Sequence, residues 1–285
     1  IDRIVMFLTN TWSIREVIAF PTLRPLRKLD SPVVEKNVRP SEPQSHSIDS
    51  EVLAKLPEMY YGYVLIKNVT ITKRDESLES EKTAVLTKHA NTSIDEILAL
   101  PPVASYREIF KATGVDLHKR RPSPEALLRR ISDGKGLYTI NTAVDAYNLT
   151  VIESGVALGG FDAQKIAQPI TLRFTRPNES VRLLGDDEPT MTKEGELVYA
   201  DAEKILTLDL NYRDCDQTKL TLETKDIVLY ADGAPGLPES AVISALHDGA
   251  SRIVRYCGGT VGDPIIVGKN SHGQPRKNSS APSST

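Results

Sequence analysis

Asn141, Asp145 and Asn148 fall at i, i+4 and i+7 in a stretch of helical spacing, so one helix face carries two amides and a carboxyl. Val144, Tyr147, Val151 and Ile152 make the rest of that helix apolar. A polar stripe there is either a set of caps and core hydrogen bonds or a device for orienting a small polar group. Further on come Gly159-Gly160, which permit a close backbone approach or a positive φ, or simply a tight turn. Asp162 and the group Asn211, Arg213, Asp214 and Thr218 follow, all at expected element ends, and Arg213 and Asp214 could pair with each other. Near the start, Asp2-Arg3 opens a helix with Ile4, Val5, Phe7 and Leu8 apolar; a guanidinium at a helix N-terminus suits a triphosphate. Between His118 and Lys135 the cations Lys119, Arg120, Arg121, Arg129, Arg130 and Lys135 face only Glu125 and Asp133. That run is either a solvated helix face or a local patch for phosphates.

Other chemistries find little support. Cys215 and Cys257 are too few for a disulfide framework, and neither they nor the five scattered histidines show metal-ligand spacing, so no metal is expected. Charge is nearly balanced, 35 Lys+Arg against 38 Asp+Glu, so no global basic field speaks for DNA. Neither a signal peptide nor an apolar run of membrane length is visible, which points to the cytoplasm and away from membranes; the five N-x-Ser/Thr sequons then read as chance matches.

These residues need a scaffold. Residues 29–47 hold Pro32, Pro40 and Pro43 without apolar periodicity and read as a linker. Asp49 can cap a short helix, and residues 60–72 are strand-like. Helical spacing covers 77–88 and 93–100, and Pro101-Pro102 separates these from a helix over 105–113 that Gly114 ends. Ser123-Pro124-Glu125 reads as N-cap, first helical position and first-turn acid of a helix reaching Ile131. Residues 141–153 form the helix with the polar stripe. Segments 170–174, 196–200, 205–210 and 226–231 look like strands, and a last helix over 238–256 stops at Gly258-Gly259. Residues 263–285 are rich in Ser, Pro and Asn and read as a disordered tail.

Two family resemblances organise this reading. Residues 1–27, IDRIVMFLTNTWSIREVIAFPTLRPLR, resemble the third signature motif of class II aminoacyl-tRNA synthetases, and their ending resembles lysyl-tRNA synthetase most closely. That resemblance gives Arg3 an ATP-phosphate contact. The other two class II motifs are absent, so these residues alone are expected not to activate an amino acid; ATP and Mg, and a possible homodimer, belong only to a full-length synthetase. Then SYREIFKATG (105–114), RPSPEALLRRISDGKGLYTINTAVDAYNL (121–149), GVALGGFDAQKI (155–166) and the stretch 195–229 recur in the order of the B-three/B-four domain. This is the editing module of bacterial phenylalanyl-tRNA synthetase beta subunits, also found as freestanding proteins, which this chain resembles more closely.

The second resemblance implies an α+β fold over 48–262, a mixed sheet with helices packed around it, after the truncated synthetase motif (1–28) and the linker (29–47). It implies hydrolysis of mischarged aminoacyl-tRNA. An activated ester needs an oriented water, oxyanion donors and a pocket, and no cofactor. The expected catalytic groups are Asn141, Asp145, Asn148, Gly159, Gly160 and Arg213, with Thr142, Asp162, Asn211, Asp214 and Thr218 around substrate and Arg120, Arg121, Arg129 and Arg130 on the tRNA. Two positions depart from the pattern: Gly159 stands where the phenylalanyl enzyme has His, and Tyr230 stands where an acid is expected. The leading expectation is a piece of lysyl-tRNA synthetase carrying an editing deacylase. The alternative is a catalytically silent module that binds tRNA and assists the synthetase.

Overall fold

The computed structural model describes residues 45–268 of the 285. The synthetase-like motif with Arg3, and the linker up to residue 44, lie outside these residues. The described chain runs β1 (His46–Ile48), α1 (Ser50–Lys55), β2 (Tyr60–Lys67), α2 (Glu76–His89), α3 (Ile94–Ala99), α4 (Pro101–Ala112), α5 (Ser123–Ser132), α6 (Thr142–Ser154), β3 (Leu158–Asp162), β4 (Ile170–Phe174), β5 (Ser180–Val181), β6 (Thr190–Met191), β7 (Leu197–Ala200), β8 (Ile205–Leu208), β9 (Arg213–Asp214), β10 (Ile227–Asp232), α7 (Glu239–Cys257), β11 (Thr260–Val261) and β12 (Ile265–Gly268). This is the α+β fold expected, with its strands divided between two five-stranded sheets and a small ribbon of β5 and β6.

The first sheet has the order β1-β4-β7-β8-β9, with β1 parallel to β4 and the other pairs antiparallel. The second has the order β11-β2-β10-β3, and β12 also pairs with β2. Tyr60–Lys67 and Ile227–Asp232 are almost wholly buried, so both central strands are apolar on both faces. One face is covered by α7, which buries Val242, Ala245, Leu246, Gly249, Ala250, Ile253 and Cys257 along one stripe against β2, β10 and β3. Gly249 lets that helix sit close: a Cβ there would come 3.0 Å from Leu158 Cδ1. Beside it lies α6, with α2 and α5 on its far side.

Several boundaries differ from the sequence reading, each for a local reason. The strand expected over 60–72 ends at Lys67 because Asn68 takes a left-handed φ of 58°, and its N–H donates to Asp226 Oδ1 at 3.0 Å. The strand expected over 205–210 ends at Leu208 because Asp209 and Leu210 both take positive φ, 49° and 63°. Pro101 and Pro102 mark the break between α3 and α4, as expected, but belong to the first turn of α4, where a proline's missing N–H costs nothing, so that helix starts at 101 rather than 105. Ser123 is the first helical residue rather than a side-chain cap; Pro122 occupies the cap. Two strands lie in segments read as linker and tail. β1 pairs with β4, and β12 buries Ile266 and Val267 on β2.

Candidate functional site

Helix α6 begins at Asn141, whose side chain accepts the Val144 N–H at 3.0 Å as an N-cap and donates to the Leu220 carbonyl at 3.1 Å. It ends at Gly155 in the left-handed conformation, φ 72°. Asp145 is buried one turn in. Its Oδ2 accepts from Lys82 Nζ at 3.1 Å and its Oδ1 accepts the Ile140 N–H at 2.9 Å. Lys82, itself buried, also donates to the Tyr138 carbonyl and to Thr139 Oγ1, each at 3.0 Å. Lys73 Nζ donates to the Ile140 carbonyl at 3.2 Å. The polar stripe therefore holds the backbone of the loop that enters α6. Asn148, the third member, is half-buried.

Gly159 and Gly160 lie within β3, opposite Tyr230 and Leu229 of β10. Neither has a positive φ. The close-approach alternative holds at Gly159, where an added Cβ would fall into the Tyr230 ring. The two departures from the family pattern are thus cross-strand partners: the bulk missing at 159 is supplied by 230. Tyr230 donates to Asp214 Oδ1 at 2.7 Å and lies 3.3 Å from Thr207 Oγ1. Arg213 does not pair with Asp214; it reaches Asp186 Oδ1 at 2.8 Å and the Leu184 carbonyl at 3.0 Å.

Thr142, Asp162 and Thr218 are also engaged. Thr142 Oγ1 accepts the Thr72 N–H at 3.0 Å and the Cys257 thiol at 3.2 Å. Asp162 accepts from Thr224 Oγ1 at 2.8 Å and faces Lys165 at 3.2 Å. Thr218 lies 3.1 Å from Cys215 Sγ. In the basic run, Arg120 bonds both Glu196 and Asp209 at 2.6 Å, while Arg129 at 2.8 Å and Arg121 at 3.7 Å share the buried Glu125 with Arg107. Arg130 makes no ion pair among the described residues; its guanidinium lies 3.8 Å from the Tyr138 ring centre.

A buried seam of tyrosines and carboxyls joins the two sheets, and sequence reasoning missed most of it. Tyr199 of β7 donates to Asp232 Oδ1 of β10 at 2.6 Å and stands edge-on to Tyr61 at 5.0 Å. Tyr61 OH lies 3.2 Å from His46 Nδ1, and His46 stacks on Tyr63 with ring centres 3.6 Å apart. Burial pushes the Asp232 carboxyl up to about 7 and the His46 imidazole down to about 3. Burial likewise raises the Asp214 carboxyl and lifts the Tyr230 phenol well above its usual value. The Asn211 amide lies beside Asp232 and eases its charge, yet Asn211 Oδ1 and Nδ2 and Asp232 Oδ2 have no well-aligned partner. Asn211, Asp214 and Tyr230 are the part of this seam that the sequence singled out; His46, Tyr61, Tyr63, Tyr199 and Asp232 were not, nor were Lys82 and Tyr138.

One surface groove of about 690 Å³, lined by Leu56, Leu98, Ser105, Arg107, Lys111 and Pro235 among others, contains none of the expected catalytic residues. Among the described residues no cluster of three or more His, Cys, Asp or Glu could hold a metal ion, and no helix is long and apolar enough to cross a membrane.

Two five-stranded sheets joined by a buried seam, with helices on the outside, make this an α+β domain whose polar residues mostly serve its own architecture. The chain belongs to the B3/4 domain family, whose model matches residues 105–254, more than half of its length. It is 34% identical over 96 residues to the phenylalanine–tRNA ligase beta subunit of Haemophilus ducreyi, covering 34% of this chain and 12% of that protein. It is 30% identical over 176 residues to that of Hahella chejuensis, covering 60% and 20%. The chain thus spans 12% and 20% of the length of these two relatives. A crystal structure of an N-terminal fragment of the phenylalanyl-tRNA synthetase beta subunit from Pyrococcus horikoshii matches with a TM-score of 0.43 and 16% identity, covering 79% of this chain and 52% of that one.

These relatives correct the leading expectation. They are phenylalanine–tRNA ligase beta subunits, so the assignment to lysyl-tRNA synthetase, with a lysine-tRNA ligase deacylase as its activity, is overturned. The residues that suggested lysine, 1–28, fall outside the described structure and outside the matched family region.

Proposed function

We propose that this chain is a catalytically silent tRNA-binding module of the B3/4 type that assists an aminoacyl-tRNA synthetase. The observation that carries the reading is the commitment of three of the six expected catalytic groups, Asn141, Asp145 and Arg213, to bonds inside the fold. Asn141 caps α6, Asp145 neutralises Lys82, and Arg213 is taken by Asp186. A group that must orient water or meet a developing oxyanion has to keep that capacity free until the transition state. The Gly159–Tyr230 exchange supports the same reading, because a tyrosine ring occupies the space beside β3. Support for tRNA as the partner comes from the relatives, which are named as subunits of a tRNA ligase.

The test is binding of the whole chain to a tRNA transcript, followed by fluorescence anisotropy across a salt series, beside a release assay on aminoacylated tRNA. Binding should weaken with salt, log K falling by about 0.7 to 0.9 per log unit of salt for each phosphate neutralised. The ester should hydrolyse no faster than it does without protein. Equal affinity for tRNA and for a DNA hairpin of the same length, or accelerated ester release, would overturn the proposal.

A further inference from the structure

Tyr138 sits on the loop that enters α6 and is 64% exposed, the most exposed large hydrophobic side chain among the described residues. A single exposed tyrosine is ordinary; its setting is not. The backbone beneath it is fixed from three sides: Lys82 holds its carbonyl, Lys73 holds the Ile140 carbonyl, and Asp145 holds the Ile140 N–H. One ring face is covered by the Arg130 guanidinium, which bonds the Lys135 carbonyl at 3.3 Å and whose Nε is buried without a partner. Most of the side chain is left to solvent.

Local charges sharpen the picture. Asp133 is matched by Lys135, and Glu79 by Arg74 and Lys82. Lys73 and Arg130 remain without a carboxylate partner among the described residues. An aromatic face held rigid over a cation, with a second cation bonded to the same loop at Ile140, complements a flat π-system linked to a phosphate. That is the chemistry of an unpaired nucleotide, in which the base stacks and the backbone meets the cations. Because the loop is already ordered, little conformational freedom is lost when a base docks. On the same loop only Ile140, 45% exposed, adds a large exposed apolar side chain, a small area for a protein ligand.

We propose that Tyr138, backed by Arg130, is a stacking platform for one unpaired base of the RNA. This rests on the tRNA-binding reading above. Two forms of a tRNA transcript test it: an open-ended transcript with its unpaired bases, and a closed transcript annealed along its whole length to the complementary strand. Tyr138→Ala should weaken binding of the open-ended transcript about 5- to 150-fold, the range for losing one base–aromatic stack. It should leave the closed transcript within about twofold, as a single lost stack has no counterpart there. Tyr138→Phe keeps the ring and should retain affinity for both, which separates stacking from any role of the hydroxyl. Because the side chain is mostly in solvent, the thermal melt of each variant should match the wild type. If wild type binds tRNA but Tyr138→Ala binds the open transcript equally well, or loses both transcripts alike, the platform is wrong while the tRNA-binding reading stands. If wild type binds neither, the broader reading fails and takes the platform with it.

Discussion

Two buried titratable groups at opposite ends of the tyrosine seam are held in their neutral forms, with opposite consequences for stability. His46, stacked on Tyr63 and bonded to Tyr61, has its imidazole lowered from 6.5 to about 3. The unfolded chain therefore binds a proton that the folded chain refuses, and stability is lost as pH falls below 6.5. Asp232, facing Tyr199, Asn211 and Asp214, is raised from 3.8 to about 7. Here the folded chain keeps a proton that the unfolded chain releases, so stability is lost as pH rises from 3.8 through 7. Between 3.8 and 6.5 the two slopes, each at most about 1.4 kcal/mol per pH unit, oppose one another. Asp232→Asn should gain stability over wild type progressively as pH rises across that window. His46→Gln should gain it as pH falls. Urea melts at half-unit pH steps read both differences; curves parallel to wild type for either variant would mean that its group titrates normally.

At the scale of elements, the loop before α6 depends on an ion pair that periodicity could not reveal. The stripe Asn141, Asp145 and Asn148 was legible as a polar helix face, and its cap reading held at Asn141. The partner of Asp145 was not legible, because Lys82 lies 63 residues away on α2 and looks like any solvent-facing lysine of a charged helix. The long apolar elements α7, β4 and β10 were visible within a residue or two, since burial on one stripe or on both faces leaves a strong pattern. Their neighbours were harder: Gly159-Gly160 of β3 could mark a close approach, a positive φ or a tight turn, and only the structure shows Gly159 making room for Tyr230 and Gly160 for Leu220. Side chains 6% and 3% exposed make the Lys82–Asp145 bridge a buried one. Removing one partner strands the other charge, so Asp145→Ala should cost about 3–5 kcal/mol in urea unfolding. The double variant Lys82→Met/Asp145→Leu should cost far less and leave the Tyr138–Ile140 backbone open to limited proteolysis. A loss under about 1 kcal/mol for Asp145→Ala would show that water already serves Lys82.

Across the described domain, its first and last strands close what the strands between them leave open. β2 is flanked on one side by β10 along its length and on the other by β12 at Tyr60–Tyr63 and β11 at Ile66–Lys67. Without β12, the first half of β2 would present unpaired backbone and Ile266 and Val267 would leave the core, while β1, which also packs near β12, would lose a neighbour. Neither strand is conspicuous in composition, because His46–Ile48 and Ile265–Gly268 are too short to show a period and sit among prolines, glycines and charges. Their pairing is imposed by the sheets they join. Burying an Ile and a Val contributes about 1.5–3 kcal/mol each, and each kcal/mol shifts the melting temperature of a domain of this size by about 2–4 °C. A chain ending at residue 262 should therefore melt roughly 10 °C below one ending at residue 268, and it should associate through the bared edge of β2 as concentration rises. Calorimetry and light scattering on the two chains decide the matter: equal melting temperatures with no association would reduce β12 to an ornament on an edge that protects itself.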